Sequence, residues 1–152
     1  MLNRHSPNIK GAAGDKFPFS HGIRLPRKLY FQMLGHGEKE LPYEACGLLS
    51  GSTESIKTVW KAINNQRKRN SFEINEAQFT SILAGIEEKE ECFVGIYHSH
   101  PTAPPVPSRD DICHAIPEKA YIIISYAKEK PILKCYKINN GTVQPIRVIL
   151  TD

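Results

Sequence analysis

His98 and His100, separated by one residue, are the first side chains in this sequence that could share a metal ion. They end an apolar run that predicts a β-strand, and side chains repeat with period two along a strand, so both imidazoles are expected on one face. Six histidines in 152 residues give roughly 0.24 such pairs by chance, so the pair alone is weak evidence for a metal site.

Ser108 and Asp111 make the pattern much more specific. The proline-rich segment 101–107 restricts the chain and favours its return beside the histidines, where Ser108 and Asp111 have the spacing of a helix start. The Asp111 carboxylate would complete a ligand set of two nitrogens and one oxygen. A catalytic zinc site requires three protein ligands and one open position. Requiring both residues at these spacings lowers the chance expectation to roughly 4 in 10,000.

Glu44 is a charged residue at the start of a predicted apolar strand, where a charge needs a reason. A carboxylate beside metal-activated water can take a proton from the water and pass it to a leaving amine, which makes Glu44 a candidate general base. An ion pair is the structural alternative for Glu44, and a capping box is the structural alternative for Ser108 and Asp111. Cys46 would share the strand face of Glu44, and we interpret it as a small buried apolar group.

These five positions resemble the motif of the JAMM (MPN-plus) metallopeptidases: an upstream Glu, then H-S/T-H, seven residues, Ser, two residues and Asp. The segments 44–51 and 72–78 look like the strand and helix start around that motif in prokaryotic-type members, and the similarity covers roughly residues 23–150. The roles that the resemblance implies are zinc ligation by His98, His100 and Asp111, deprotonation of water by Glu44, and support of the tetrahedral oxyanion by Ser108.

The resemblance also implies a reaction and a partner. Members of the family hydrolyse amide or isopeptide bonds after the C-terminal Gly-Gly of ubiquitin, ubiquitin-like modifiers or sulfur-carrier proteins. We therefore expect a zinc-dependent hydrolase, a metallo-isopeptidase or peptidase with Zn²⁺ as its cofactor, that acts on such a carrier and releases, for example, an attached amino acid such as cysteine.

The sequence is also compatible with three other functions. A non-catalytic module of the same fold would bind the tail or act as a scaffold, although it would not need Glu44 or Ser108. RadC-type proteins of DNA metabolism look similar around the metal motif. A non-haem iron oxygenase also uses two His and one carboxylate, but has no use for Glu44 as placed.

The predicted elements place the motif in an α/β fold, a mixed β-sheet flanked by helices in an MPN/JAMM-like, cytidine-deaminase-like sandwich. A first helix starts at Pro26 and is ended by Gly35 and Gly37, and a second helix is capped by Asn75. The predicted strands are 45–50, 56–63, 92–100 and 121–126, followed by a hairpin of 132–138 and 142–150 around Asn140-Gly141.

Length and composition limit the class of protein. A chain of 152 residues suits one domain, predicted at 23–152, behind a flexible N-terminal arm at 1–22 that Phe17 or Phe19 could anchor. The net charge of +4 does not favour nucleic acid as a partner. The longest apolar stretch, 121–127, is far short of a membrane span and no secretory signal is visible, so no membrane association and a cytoplasmic location are expected. The four cysteines are read as reduced, small buried groups.

Overall fold

The structure is a computed structural model that describes Phe19 and residues 21–152. Most of the predicted arm, residues 1–18 and 20, lies outside the described residues, and Phe17 lies there as well. Phe19 is buried in the core beside Ile23 and Leu25, as its predicted anchoring role requires.

The described part of the chain contains eight strands, with three helices between the earlier ones, which confirms the predicted α/β class. They are β1 (Ile23–Pro26), α1 (Arg27–Glu40), β2 (Cys46–Gly51), β3 (Ile56–Ala62), α2 (Glu76–Glu88), β4 (Cys92–His100), α3 (Arg109–Cys113), β5 (Ala120–Ser125), β6 (Ile132–Asn139), β7 (Thr142–Ile146) and β8 (Val148–Thr151).

Six strands form a mixed sheet in the order β3-β2-β4-β5-β6-β7, in which β4 and β5 are parallel and the other neighbours are antiparallel. Successive side chains point to opposite faces, so Leu49 packs with the apolar side of α1 and Leu48 packs with that of α2. The sheet therefore lies between two apolar layers, as predicted. In the described part of the chain no helix is both long enough and apolar enough to cross a bilayer.

The prediction that Gly35 and Gly37 end the first helix is wrong, because α1 continues to Glu40. A Cβ atom at Gly37 would lie 2.3 Å from the hydroxyl oxygen of Tyr126. The glycine therefore permits a close approach between the helix and the ring. A glycine within a helix costs about 1 kcal/mol, which tertiary packing offsets here.

The prediction of one continuous strand over 142–150 is also wrong, because this segment divides into β7 and β8 around Arg147. The Arg147 carbonyl accepts a hydrogen bond from the Ile23 N–H at 2.8 Å, and β8 then pairs in parallel with β1, a strand that the sequence did not predict. The turn before β7 is as predicted, since Asn140 and Gly141 both have positive φ, 50° and 80°.

The topology gathers the motif at one end of the sheet. Cys46, at the start of β2, lies opposite His98 near the end of β4, so the residues before β2 are next to the last residues of β4. The crossover from β4 to β5 carries α3 back to the same end. All four cysteines are unpaired: Cys46 and Cys135 are buried as predicted, but Cys92 and Cys113 are exposed.

Candidate metal centre

The side chains of His98 and His100 meet at the end of β4. Both are buried, with exposed fractions of 1% and 5%, and their Nε2 atoms lie 3.1 Å apart. The Phe72 ring stacks on His98, with ring centres 4.8 Å apart and an interplanar angle of 27°. The predicted shared face is confirmed, and an aromatic wall holds one imidazole in place.

Asp111 reaches the same point from α3. Ser108 is the N-cap of this helix, and the two residues form the predicted capping box. Asp111 Oδ2 accepts the Ser108 backbone N–H at 2.8 Å and lies 3.1 Å from His98 Nε2 and 3.5 Å from His100 Nε2. One carboxylate oxygen thus faces both the cap and the histidines, so the capping and ligating arrangements are compatible.

The three facing atoms suit a small divalent cation. Zn²⁺ binds His nitrogen and carboxylate oxygen at about 2.0–2.2 Å, which in a tetrahedral site separates neighbouring ligand atoms by about 3.3 Å. The observed separations of 3.1, 3.1 and 3.5 Å bracket that value. Donor type and spacing of these three side chains therefore both fit a zinc ion.

Hydrogen bonding sets the ring orientation of His100. Its Nδ1–H donates to the Pro104 carbonyl at 2.8 Å, so the neutral ring presents the Nε2 lone pair to the facing atoms. His98 Nδ1 is buried and has no hydrogen-bond partner among the described residues. The proline-rich segment therefore does more than reverse the chain, because one of its carbonyls fixes the tautomer of a candidate ligand.

Glu44 is buried beside the two histidines, with 2% of its surface exposed. It lies two residues before β2, and its carboxylate lies within 4.8 Å of ligand atoms of His98 and His100. Burial raises the pKa of Glu44 above its ordinary value, although the two histidines partly oppose the effect. A carboxyl group with a raised pKa exchanges protons closer to neutral pH, which suits a base that later acts as an acid.

The peptide unit between Glu44 and Ala45 is held at both of its polar groups by side chains that sequence reasoning missed. Asn64 Nδ2 donates to the Glu44 carbonyl at 2.9 Å, and the Ala45 N–H donates to Ser99 Oγ at 2.8 Å. The period of a strand turns Ser99 away from the two histidines, and this alone assigns the residue no role. Its place between them is a visible signal, whereas nothing in the local sequence marks Asn64.

The pKa of Asp111 is lowered well below its ordinary value. Burial alone would raise the pKa, but His98, His100 and the Ser108 N–H outweigh that cost. Burial likewise opposes the charged form of His100, yet the hydrogen bonds to Asp111 and Pro104 raise the pKa of His100 overall. The centre therefore keeps an ionised carboxylate in a partly buried position, as a cation site requires.

Ser108 borders an open cleft beside the buried cluster. The cleft has a volume of about 270 Å³, and Glu44 and His100 also line it. Ser108 Oγ accepts the Asp111 N–H at 3.1 Å, and the serine O–H has no acceptor among the described residues. The hydroxyl is thus able to donate to a group that enters the cleft.

Cys46 takes no part in this cluster. It is fully buried, and burial raises the pKa of its thiol to about 12, so the thiol is neutral and acts as the small apolar group predicted. His114 Nδ1 pairs with the Asp110 carbonyl at 3.0 Å instead of facing the other histidines.

The chain belongs to the family described as prokaryotic homologs of the JAB domain, whose model matches residues 26–139. It is 28% identical to the CysO-cysteine peptidase of Mycobacterium tuberculosis over 77% of this chain and 84% of that protein. It is also 38% identical to the desampylase of Haloferax volcanii over 55% of this chain and 63% of that protein. The chain is accordingly a peptidase of the JAMM type, which confirms the resemblance drawn from the motif.

Solved structures give the same fold. Protein DSY2949 from Desulfitobacterium hafniense has a TM-score of 0.79 at 29% identity, covering 86% of this chain and 93% of that chain. A structure titled "JAMM: A Metalloprotease-like Zinc Site in the Proteasome and Signalosome" has a TM-score of 0.51 at 22% identity, covering 84% of this chain and 98% of that chain.

Proposed function

We propose that this chain is a zinc-dependent peptidase that hydrolyses the amide bond after the C-terminal Gly-Gly of a ubiquitin-like or sulfur-carrier protein. The observation that carries the proposal is the convergence of His98 Nε2, His100 Nε2 and Asp111 Oδ2 within 3.1–3.5 Å of one another. Glu44 lies buried beside them, and an open cleft leads to the cluster.

His98, His100 and Asp111 would hold the ion. When bound, a zinc ion supplies Lewis-acid chemistry: it polarises the scissile carbonyl and makes water acidic enough to lose a proton near neutral pH. Phe72 and the Pro104 carbonyl hold the two imidazoles in position, and the Ser108 N–H holds the carboxylate.

Glu44 transfers the proton, and Ser108 stabilises the negative charge that develops on the substrate. Glu44 takes a proton from the attacking water while the water oxygen bonds to the carbonyl carbon, and the Ser108 hydroxyl donates a hydrogen bond to the oxygen that becomes negative. Glu44 then passes its proton to the leaving nitrogen as the C–N bond breaks. The products are a carrier with a free glycine carboxylate and the released amine.

The choice of substrate is supported by what the relatives are called and by the shape of the site. One relative is named for a carrier-linked cysteine and another is a desampylase. The cleft, with a volume of about 270 Å³, is open to solvent and borders Glu44, His100 and Ser108, so the end of an extended tail could reach the cluster through it. A cytoplasmic location remains a prediction.

The decisive test joins metal content to cleavage. We expect freshly purified protein to hold one zinc per chain by elemental mass spectrometry. The zinc-loaded protein should remove a C-terminal residue from a ubiquitin-fold carrier ending in Gly-Gly plus that residue, and mass spectrometry detects the product. A chelator should stop the reaction and added zinc should restore it. The assay uses a panel of such carriers that differ in the added residue. Iron in place of zinc, or no cleavage of any carrier in the panel, would contradict the proposal.

A non-catalytic tail-binding module is the alternative that the same panel tests. Tight carrier binding without cleavage by the zinc-loaded protein would favour that alternative. Buried Glu44 and the Ser108 O–H, which has no acceptor among the described residues, support the catalytic function instead, because a binding module needs neither a base nor a donor for an oxyanion.

A further inference from the structure

Two arginines line the cleft next to the metal cluster. Arg69 and Arg109 border the same opening as Glu44, His100 and Ser108. The sequence places Arg69 in a basic run with Arg67 and Lys68 that we read as a solvated loop. Of those three residues, Arg69 is the one that lines the cleft, so its place in the structure differs from that of Arg67 and Lys68.

Both arginines sit on segments that also carry or hold the proposed machinery. Arg109 directly follows Ser108 and is the first residue of α3. Arg69 belongs to the loop that follows β3 and contains Asn64, whose side-chain amide nitrogen donates to the Glu44 carbonyl. The two cationic side chains therefore reach the cleft from two different segments of the chain, the loop between β3 and α2 and the first turn of α3.

Neither guanidinium has a protein partner in the described part of the chain. Other charged groups do pair there, such as Arg27 with Asp152 at 3.6 Å, but Arg69 and Arg109 make no hydrogen bond or ion pair with the described residues. Both are exposed to solvent. A guanidinium carries five donors that match a carboxylate in two-point geometry, so two unpaired arginines at one cleft are well suited to a small anion.

The charges of the cleft also favour an anion. Glu44 and Asp111 together balance a divalent cation, and Asp110 is the one further acid that lines the opening. The two arginines outweigh that acid by one unit. A ligand with a single negative charge would therefore neutralise the cleft of the zinc-loaded protein.

We propose that Arg69 and Arg109 bind the free α-carboxylate of the residue that is released, so the preferred substrate is a carrier extended by one amino acid through an ordinary peptide bond. This inference rests on the proposed function and narrows it. In such a substrate the carboxylate is attached to the carbon that bears the scissile nitrogen. In an isopeptide to a lysine side chain, the corresponding backbone carbonyl is several bonds further away and is not ionised.

The experiment compares two substrates that differ at one terminal group, which is an ionised carboxylate in one and a neutral carboxamide of similar size in the other. A ubiquitin-fold carrier ending in Gly-Gly-Ala is prepared with a free C-terminal carboxylate and with a C-terminal carboxamide. The zinc-loaded wild-type protein should cleave the carboxylate form with at least tenfold higher kcat/KM. Arg69→Gln together with Arg109→Gln should bring the two substrates within twofold of each other. Lys68→Gln, a neighbouring exposed cation that does not line the cleft, should keep the wild-type preference.

Binding gives a second measurement that needs no turnover. Calorimetry with the zinc-loaded Glu44→Gln protein should show at least tenfold tighter binding of the carboxylate form, and the double arginine substitution should remove that difference. Equal cleavage and equal binding of the two forms by the wild-type site would overturn this inference and leave the proposed function standing. Failure to bind or cleave either form would overturn both.

Discussion

Two polar clusters lie at the two ends of strand β2, and they differ in what their atoms face. At the far end, Ser50 accepts the Trp60 indole N–H at 2.6 Å and donates to Glu91 at 3.0 Å, while Thr58 donates to Glu91 at 2.6 Å. Each donor has an acceptor, so the hydrogen bonds account for this cluster. Its function is to tie the turn after α2 to β2 and β3.

At the near end, the same strand leads into Glu44, and here His98 Nε2, His100 Nε2 and Asp111 Oδ2 all lie within 3.1–3.5 Å of one another. In the neutral form of His100, Nδ1–H donates to the Pro104 carbonyl, so Nε2 and Asp111 Oδ2 can both offer lone pairs to one cation. Acceptors that face each other at 3.1–3.5 Å need a shared proton or a cation between them. The comparison shows that buried polar residues alone do not mark a site, whereas three metal-ligand atoms that face one point are what a cation requires.

Removing a candidate ligand should have the largest effect. We expect His98→Ala to lose bound zinc and to lower activity by at least about 10³-fold, because both nucleophile activation and carbonyl polarisation depend on the ion. Elemental analysis and the carrier cleavage assay check this. His21→Ala, at an exposed position away from the cluster, is the matched control and should change neither value.

Glu44 and Glu91, which belong to the clusters at the two ends of β2, should respond differently to substitution by glutamine. Glu44→Gln should retain zinc and lower kcat by about 10²–10⁴-fold, the usual contribution of a general base. Glu91→Gln should leave kcat within twofold but lower the free energy of unfolding by about 1 kcal/mol, since its hydrogen bonds become uncharged. Equal activity of Glu44→Gln and wild type would remove the base from the mechanism.

Ser99 provides a smaller and more selective test, because it contacts Glu44 only through the backbone. We expect Ser99→Ala to lower kcat about tenfold with zinc content and KM retained, since the Ala45 N–H loses its acceptor and Glu44 is less well placed. Ser99→Thr keeps the hydroxyl and should restore the rate. If alanine and threonine reduce kcat equally, the hydroxyl does not position the base.

The smallest effect concerns a buried histidine outside both clusters. Burial lowers the pKa of His36 below 6.5, helped by Lys61 and Lys39 and opposed by Glu40, and its Nδ1 lies 2.8 Å from the Tyr97 hydroxyl. The unfolded chain therefore takes up the proton first as the pH falls below 6.5, and the free energy of unfolding should decrease there. Urea unfolding at pH 7.5 and 5.5 measures the decrease, which should be smaller in His36→Gln.

The sequence predicted best where a local rule sets the geometry. The period of a strand placed His98 and His100 on one face, and the capping spacing placed Ser108 and Asp111 at the start of α3. Predictions failed where a distant contact decided the outcome. Tyr126 lets α1 continue through Gly37, and β1 draws β8 away from β7. Neither partner is near in sequence, so no local pattern contains the information.

For the site, the sequence by itself determined which groups are available: two imidazoles, two carboxylates and a serine hydroxyl in a specific spacing. The tertiary structure decided how they meet, through the pairing of β2 with β4, the Pro104 carbonyl that sets the His100 tautomer, and Asn64, which ties its loop to Glu44. It also decided that Arg69 and Arg109 share one cleft. The physical reason is that donor types are properties of residues, whereas ligand distances and charge balance arise only from segments brought together by the sheet.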